Sequence, residues 1–99
     1  MLLVAEIQDL VADRFRIPRD EMTGPSRKRE HARPRQMAMA LAHEATRHGY
    51  SRLGDFFGER DHSTVIYALR VVERRAEEDL EVRAAMSELR SQLMEKASG

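Results

Sequence analysis

Apolar residues in this chain return every three or four positions, and proline or glycine cuts that rhythm at Pro18, Gly24, Pro25, Pro34, Gly49 and Gly58. Nowhere do apolar and polar residues alternate over the length a half-buried strand needs. A chain patterned this way has to build its core from short amphipathic helices that meet at tight corners.

The helices follow segment by segment. Leu3, Ile7, Leu10, Val11 and Phe15 make one apolar helical face, and that helix ends at Ile17, because the residue before proline is pushed out of the helical region. Residues 19–23 form one turn, broken by Gly24-Pro25. Residues 27–33 read as a basic loop with almost no core residue. Pro34 sits in the first turn of the next helix, where its missing N–H costs nothing. That helix carries Met37, Ala38, Leu41, Ala42 and Ala45 to His48, with Gly49 as its stop. Ser51 caps a short helix bearing Leu53, Phe56 and Phe57, which Gly58 ends. Val65, Ala68, Leu69 and Val72 are the buried face of the helix after Asp61-His62-Ser63. The last helix, 79–96, turns Val82, Met86, Leu89 and Leu93 inward. The expectation is an all-α fold of five or six helices in one domain, 1–99. A short helix, a glycine turn and a second helix opening on polar residues form a helix-turn-helix pattern.

Composition narrows the class. The chain has 99 residues, of which 34% are charged and 41% apolar, the balance of a small globular chain. It has no cysteine, which excludes disulfides and thiolate metal sites and suits a reducing compartment. No apolar run approaches the ~20 residues of a membrane span, and no signal-peptide pattern opens the chain. The expected location is cytoplasmic. Formal charge sums to zero but is not evenly spread. Residues 1–13 hold three acids and no base, residues 14–72 twelve bases and seven acids, and residues 73–99 five bases and seven acids. A positive face on a neutral molecule follows from that distribution.

Several polar clusters are candidates for chemistry. His43-Glu44-Ala45-Thr46-Arg47-His48 resembles a zinc helix, but the histidines are five residues apart. On an α-helix that separates them by about 140°, against about 40° for the i, i+4 pair that zinc needs. Neither a phosphate-cradling glycine loop nor a nucleophile elbow occurs. Adjacent residues such as Asp61-His62-Ser63 point apart and do not form a triad. Enzyme activity, cofactor, metal and small-molecule substrate are therefore not expected. Residues 27–36 hold five bases and one acid and lead into a helix start, a setting for phosphate contacts from Arg27, Arg33, Arg35 and Gln36. In "GERDHSTV", Asp61 or Ser63 serves as an N-cap. His62, Thr64 and Tyr67 gather at the same end of that helix, where a helix-turn-helix protein meets base edges in the major groove. Two rival readings remain: a helical protein-interaction module with a merely solvated basic loop, and a metal-dependent enzyme built on His43 and His48.

The segments "ARPRQMAMALAHEATRH" and "GERDHSTVIYALRVVE" resemble the C-terminal DNA-binding domain of the bacterial replication initiator DnaA. The family's hallmarks are a G-G-R-D-H-[ST]-T-V block and A-R-P-R-Q upstream, and the likeness covers about residues 3 to 95. The resemblance implies a helical domain of the Trp-repressor-like class. Its partner would be double-stranded DNA at a DnaA-box-like site, consensus TTATNCACA, bound by a monomer in replication initiation or its regulation. It also implies roles. Arg27 matches the arginine that enters the minor groove, and Arg35 and Gln36 match the backbone-contacting helix start. Asp61, His62, Ser63 and Thr64 match the major-groove cluster. Arg33, His43, Thr46, Tyr50, Ser51, Arg60 and Tyr67 complete the DNA-contacting set.

The chain departs from the family pattern at several places. Glu59 replaces the second glycine, Ser63 the commoner threonine, Tyr67 a histidine, Tyr50-Ser51 the usual Leu-Pro, and His43 a lysine. The ATPase and N-terminal modules of a full initiator are not encoded here. The chain reads as either an excised domain or a free-standing DnaA-like protein.

Overall fold

Every break in the apolar rhythm except Pro34 falls at a corner in the fold. The computed structural model describes residues 2–98, and among them the regular structure is helical. Six helices follow in order: α1 Val4–Phe15, α2 Asp20–Thr23, α3 Arg29–Thr46, α4 Tyr50–Phe56, α5 His62–Glu78 and α6 Leu80–Ser98. α3 is the central element, packed against α1, α2, α4 and α5, while α6 lies across α5 and α1. Their apolar faces close one core in which Ile7, Val11, Met22, Leu41, Leu53, Phe57, Val65, Met86 and Leu89 are fully or almost fully buried.

The apolar faces read from the sequence are mostly those buried, with shifts at helix ends. Leu3 is the N-cap of α1 and lies 58% exposed, so Val4 takes the first inward position. Leu10, Phe15 and Leu69 are half-buried at the core's edge. In α6, Ala85 joins Met86, Leu89 and Leu93 in the core and Val82 stays at its margin. Ion pairs at the surface tie the outer helices on. Arg90 of α6 grips both carboxylate oxygens of Glu44, each at 2.9 Å, and Arg14 of α1 meets Glu88 at 3.0 Å.

Three boundaries differ from expectation. α3 begins at Arg29 rather than at Pro34, so the stretch 29–33 is helical and Pro34 lies in the second turn. Proline forbids only its own N–H bond to residue i−4, and here that costs the bond to Glu30 alone. Initiation at Lys28 is supported by His31 and Ala32, whose N–H groups donate to the Lys28 carbonyl at 3.0 and 2.8 Å. The ring of His31 is also anchored, with Nδ1 2.9 Å from Ser26 Oγ and 3.3 Å from Glu21 Oε2. α3 ends at Thr46, not His48, because Arg47 takes the left-handed cap conformation at φ 60°. Gly49 is then not a stop but the N-cap of α4, and Ser51 sits inside that helix without capping it.

Arg35 is the largest departure. An arginine in a first turn would reach outward, but in the second turn it points into the fold and is only 4% exposed. Its Nε donates to the carbonyls of Glu21 at 3.1 Å and Met22 at 3.3 Å, and Nη1 donates to Ser26 at 2.9 Å. The Nη2 group donates to Glu21 as well. α2 and the loop after it thus present their last carbonyls to one planar cation. A helix of four residues has too few internal bonds to satisfy those groups itself. Burial lowers the Arg35 pKa, and the nearby Arg60 charge lowers it further against a smaller opposite effect of Glu21.

The corner between α4 and α5 is equally specific. Gly54 accepts the backbone N–H of Phe57 at 3.1 Å and of Arg60 at 2.9 Å, and a Cβ at Gly54 would collide with the Arg60 carbonyl. Gly58 has φ 82°, and a Cβ there would strike the Thr23 carbonyl. Glu59 follows at φ 56°, a left-handed position that a non-glycine residue holds at a cost.

Two stability changes are expected. Arg35→Ala and Arg35→Lys each strip paired carbonyls of a forked donor and lower stability by about 3 kcal/mol, read as a lower urea midpoint. Glu59→Gly relieves the left-handed backbone and raises stability by about 1 kcal/mol, read in the same titration.

Candidate nucleic-acid interface

The polar end of α5 is shaped by its cap. Asp61 has extended backbone (φ −63°, ψ 150°), and its Oδ2 accepts the Ser63 backbone N–H at 2.9 Å. The Ser63 hydroxyl donates to the same oxygen. The bonds from Ser63, side chain first and backbone second, hold the Asp61 carboxyl below its ordinary pKa of 3.8. Its ionised form makes these bonds, so the cap is whole above the ordinary carboxylate range and is lost as pH falls through the lowered folded-state value. Asp61, rather than Ser63, is therefore the cap.

This leaves a defined donor and acceptor set facing outward. Asp61, His62, Ser63 and Thr64 are all exposed, and Tyr67, one turn on, is 60% exposed. Asp61 keeps Oδ1 as a free acceptor, 3.6 Å from His62 Nδ1. Ser63 has committed its proton inward and presents lone pairs. Val65, Ala68 and Val72 hold the opposite face of the helix in the core. The macrodipole favours an anion at this end.

The basic loop comes to the same place. A shallow cleft of about 570 Å³ is lined by Gly24, Pro25, Ser26 and Arg27 on one side and by Gly58 and Thr64 on the other. Arg60 joins the two sides: Nη2 donates to the Gly24 carbonyl at 2.7 Å and Nη1 to the Phe57 carbonyl. Burial lowers the Arg60 pKa. Two arginines read from the sequence as DNA contacts, Arg35 and Arg60, thus have their guanidinium groups turned to backbone carbonyls. They fix the loop that carries Arg27 and do not stand clear of the surface as it does.

The remaining candidates fall into two further groups. Gln36 is half-buried, and its Oε1 accepts from Arg75 Nη1 at 2.8 Å, which leaves its amide N–H groups to donate. Arg33, a turn earlier on α3, is exposed. At the other end of α3, the ring of His43 stacks on Tyr50 with centroids 5.0 Å apart and an interplanar angle of 16°. His48 instead tilts against Phe56 at 5.4 Å, so the two histidines of the zinc-like segment have separate aromatic partners. Thr46 turns its hydroxyl back to the Ala42 carbonyl at 2.6 Å, and Ser51 is exposed at the start of α4.

Sequence reasoning passed over Gln8, whose 3% exposure and two bonds make it a second organiser of the corner. Its Nε2 donates to the Phe56 carbonyl at 2.8 Å and its Oε1 accepts from Arg19 at 2.9 Å. A glutamine one position after Ile7 gives no signal of inward placement. Arg75 was also passed over, since only the fold brings it to Gln36. Ser26 and Glu21 both meet the same Nδ1 of His31, which is not the relay of a hydrolase, where acid and nucleophile occupy opposite ring nitrogens.

The model for "Bacterial dnaA protein helix-turn-helix" matches residues 4–72, the span from the first residue of α1 to the middle of α5. The chromosomal replication initiator protein DnaA of Thermus thermophilus is 46% identical over 85 residues, 86% of this chain and 20% of that protein. That of Acinetobacter baumannii is 50% identical over 76 residues, 77% of this chain and 16% of that protein. That of Acinetobacter baylyi is 49% identical over the same length. The chain spans a fifth or less of these relatives. The matched family is a helix-turn-helix module and not an enzyme. With α4, the Gly58-Glu59 corner and α5 supplying that motif, the chain belongs to the bacterial DnaA helix-turn-helix family.

Proposed function

We propose that the chain binds double-stranded DNA with sequence preference at DnaA-box-like sites, as a monomer, in replication initiation or its regulation. The observation that carries this reading is the shared cleft of Arg27 and Thr64, which joins an exposed cation to an exposed, capped helix end. α5 enters the major groove by its N-terminus. Asp61 accepts from an exocyclic amine, Ser63 and Thr64 bond base edges, and His62 donates or accepts. Arg27 reaches the neighbouring minor groove, where a guanidinium is attracted by the strong negative potential. Arg33, Gln36 and the His43–Tyr50 stack hold phosphates and set the register. Arg35 and Arg60 act through the loop they hold.

The departures from the family pattern bear on which sequence is preferred. Ser63 lacks the methyl that would touch a thymine, and Tyr67 places a large ring where a smaller donor is usual. Glu59 adds a negative charge one residue ahead of Arg60, and no described salt bridge neutralises it. The favoured site is therefore expected to differ from TTATNCACA at the positions these residues face.

Selection from a random duplex pool tests binding and preference together. A recovered motif related to the box supports the reading, and a pool that stays random overturns it. In fluorescence anisotropy, Arg27→Ala is expected to weaken binding to all duplexes and reduce the log–log salt slope by about 1. His62→Ala is expected to remove about 1–3 kcal/mol of discrimination between the selected site and a scrambled one. If His62→Ala leaves that ratio intact, α5 is not the reading element.

A further inference from the structure

A second cationic surface lies away from the Asp61 cleft. Arg29 and Arg33 are one turn apart on the exposed face of α3, and Arg74 and Arg75 are on α5, about 20 Å along that helix from Asp61. Arg33 and Arg75 line the same hollow, and Arg33 also shares a hollow with Arg29 and with Arg16 at the end of α1. Among the described residues, none of these five arginines forms an ion pair with a carboxylate within 4.0 Å, whereas Arg14, Arg19 and Arg90 each do. The Arg75 pKa is lowered first by burial and next by the charge of Arg33, with smaller like-signed effects of Arg29 and Arg74.

Opposing charge comes from Glu78, on α5 three residues after Arg75 and four after Arg74, and from acids at the rims of the hollows. Glu30, Asp79 and Glu81 border the two hollows, and Asp79 is already occupied as the acceptor of the Glu81 N–H at 2.9 Å. Glu73 and Glu77 line a different hollow, on the His43 side of α5. Crowded guanidinium groups without partners raise the free energy of the unbound protein, and an anion relieves them.

We propose that Arg29, Arg33, Arg74 and Arg75 form a phosphate-contacting surface that grips duplex DNA outside the base pairs met by residues 61–64. The proposal rests on the DNA-binding reading above. Three observations favour DNA backbone as the occupant. The patch is continuous with the basic loop, since Arg29 follows Arg27 by two residues and the same helix carries Arg33 and Gln36. Gln36 ties Arg75 to that helix, which joins the α5 arm of the patch to the α3 arm. α5 is 17 residues long, or about 25 Å, so when it is laid along the groove Arg74 and Arg75 fall about 20 Å from Asp61, past the base pairs met by residues 61–64. Arginine's planar fork suits phosphate oxygens at such a place. Arg74 and Arg75 lie beyond the residues 4–72 matched by the family model.

The test compares two duplexes carrying the selected sequence, one trimmed to the base pairs of the selected motif and one longer by about one helical turn, ~10 base pairs, on each side. Wild-type protein is expected to bind the longer duplex with a salt slope steeper by about 1–2. That increment amounts to ~4- to 16-fold in affinity between 50 and 200 mM salt. Arg74→Gln/Arg75→Gln is expected to lose the increment and keep its affinity for the trimmed duplex, while Arg74→Lys/Arg75→Lys retains most of it. Equal slopes for wild type on both duplexes, or an undiminished increment in the glutamine variant, overturns the proposal. So does binding of a polyglutamate peptide that depends on Arg74 and Arg75 without any effect of duplex length, which assigns the surface to an acidic protein partner. Loss of salt-dependent binding to both duplexes by wild type itself takes down the DNA-binding reading and this proposal together.

Discussion

Everything at the reading end depends on a buried cation that touches no carboxylate. Arg35 faces the carbonyls of Glu21, Met22 and Ser26, and Arg60 faces those of Phe57 and Gly24. α2 is a single turn, and the loop after it has no ladder of its own. Such a segment would leave a row of orphaned acceptors beside the core, each costing roughly 1–3 kcal/mol if buried and unpaired. Two guanidinium groups satisfy them at once, because each offers five donors in a fixed plane. The loop position that follows is not adjustable. With Ser26 and Gly24 held, Arg27 emerges beside the first turn of α5.

Close backbone approach enforces the same arrangement. Gly58 passes the Thr23 carbonyl and Gly54 passes the Arg60 carbonyl with no room for a Cβ. α2 and the α4–α5 corner therefore touch through main chain rather than side chains. Backbone contact of this kind transmits position more faithfully than contact between long side chains, which have rotamers to spare. Glu59 is the exception in this corner, a left-handed residue without glycine's freedom. Its carboxylate then projects from a backbone conformation it does not favour, next to the surface proposed to meet DNA.

How much of this could be read in advance depended on whether a residue's role was local. Helix faces were legible because burial repeats with the helical period, and Val65, Ala68 and Val72 or Met86, Leu89 and Leu93 are inward as the spacing implied. The N-cap at Asp61 was legible as one of two choices, since the cap bond is made within two residues. Helix starts were less so. Pro34 suggested a first turn, but proline is a constraint on one hydrogen bond and not a start signal, and the tie of His31 to Ser26 and Glu21 begins α3 five residues sooner. Arg35 and Arg60 defeated the sequence for a deeper reason. An arginine that pairs with phosphate and one that pairs with carbonyls look alike until the fold shows which oxygens surround it.

That ambiguity has a consequence for how charge should be counted in a small basic domain. The chain is formally neutral, and three of its arginines, Arg35, Arg60 and Arg83, donate to backbone carbonyls. Arg14, Arg19 and Arg90 are further matched by carboxylates. Of the cations left over, Arg47, Arg52 and Arg70 are spread over the surface and others are grouped. Arg27 stands at the cleft, and Arg29, Arg33, Arg74 and Arg75 stand together along α3 and α5. Neutralising pairs on α1 and α6 are kept at the outer helices, so the field of the molecule is directional although its sum is zero. A polyanion approaching such a molecule is oriented before it makes contact. In the function proposed, base preference rests on the few uncharged and singly charged groups at the end of α5, whose own bonds already constrain which of them donate and which accept.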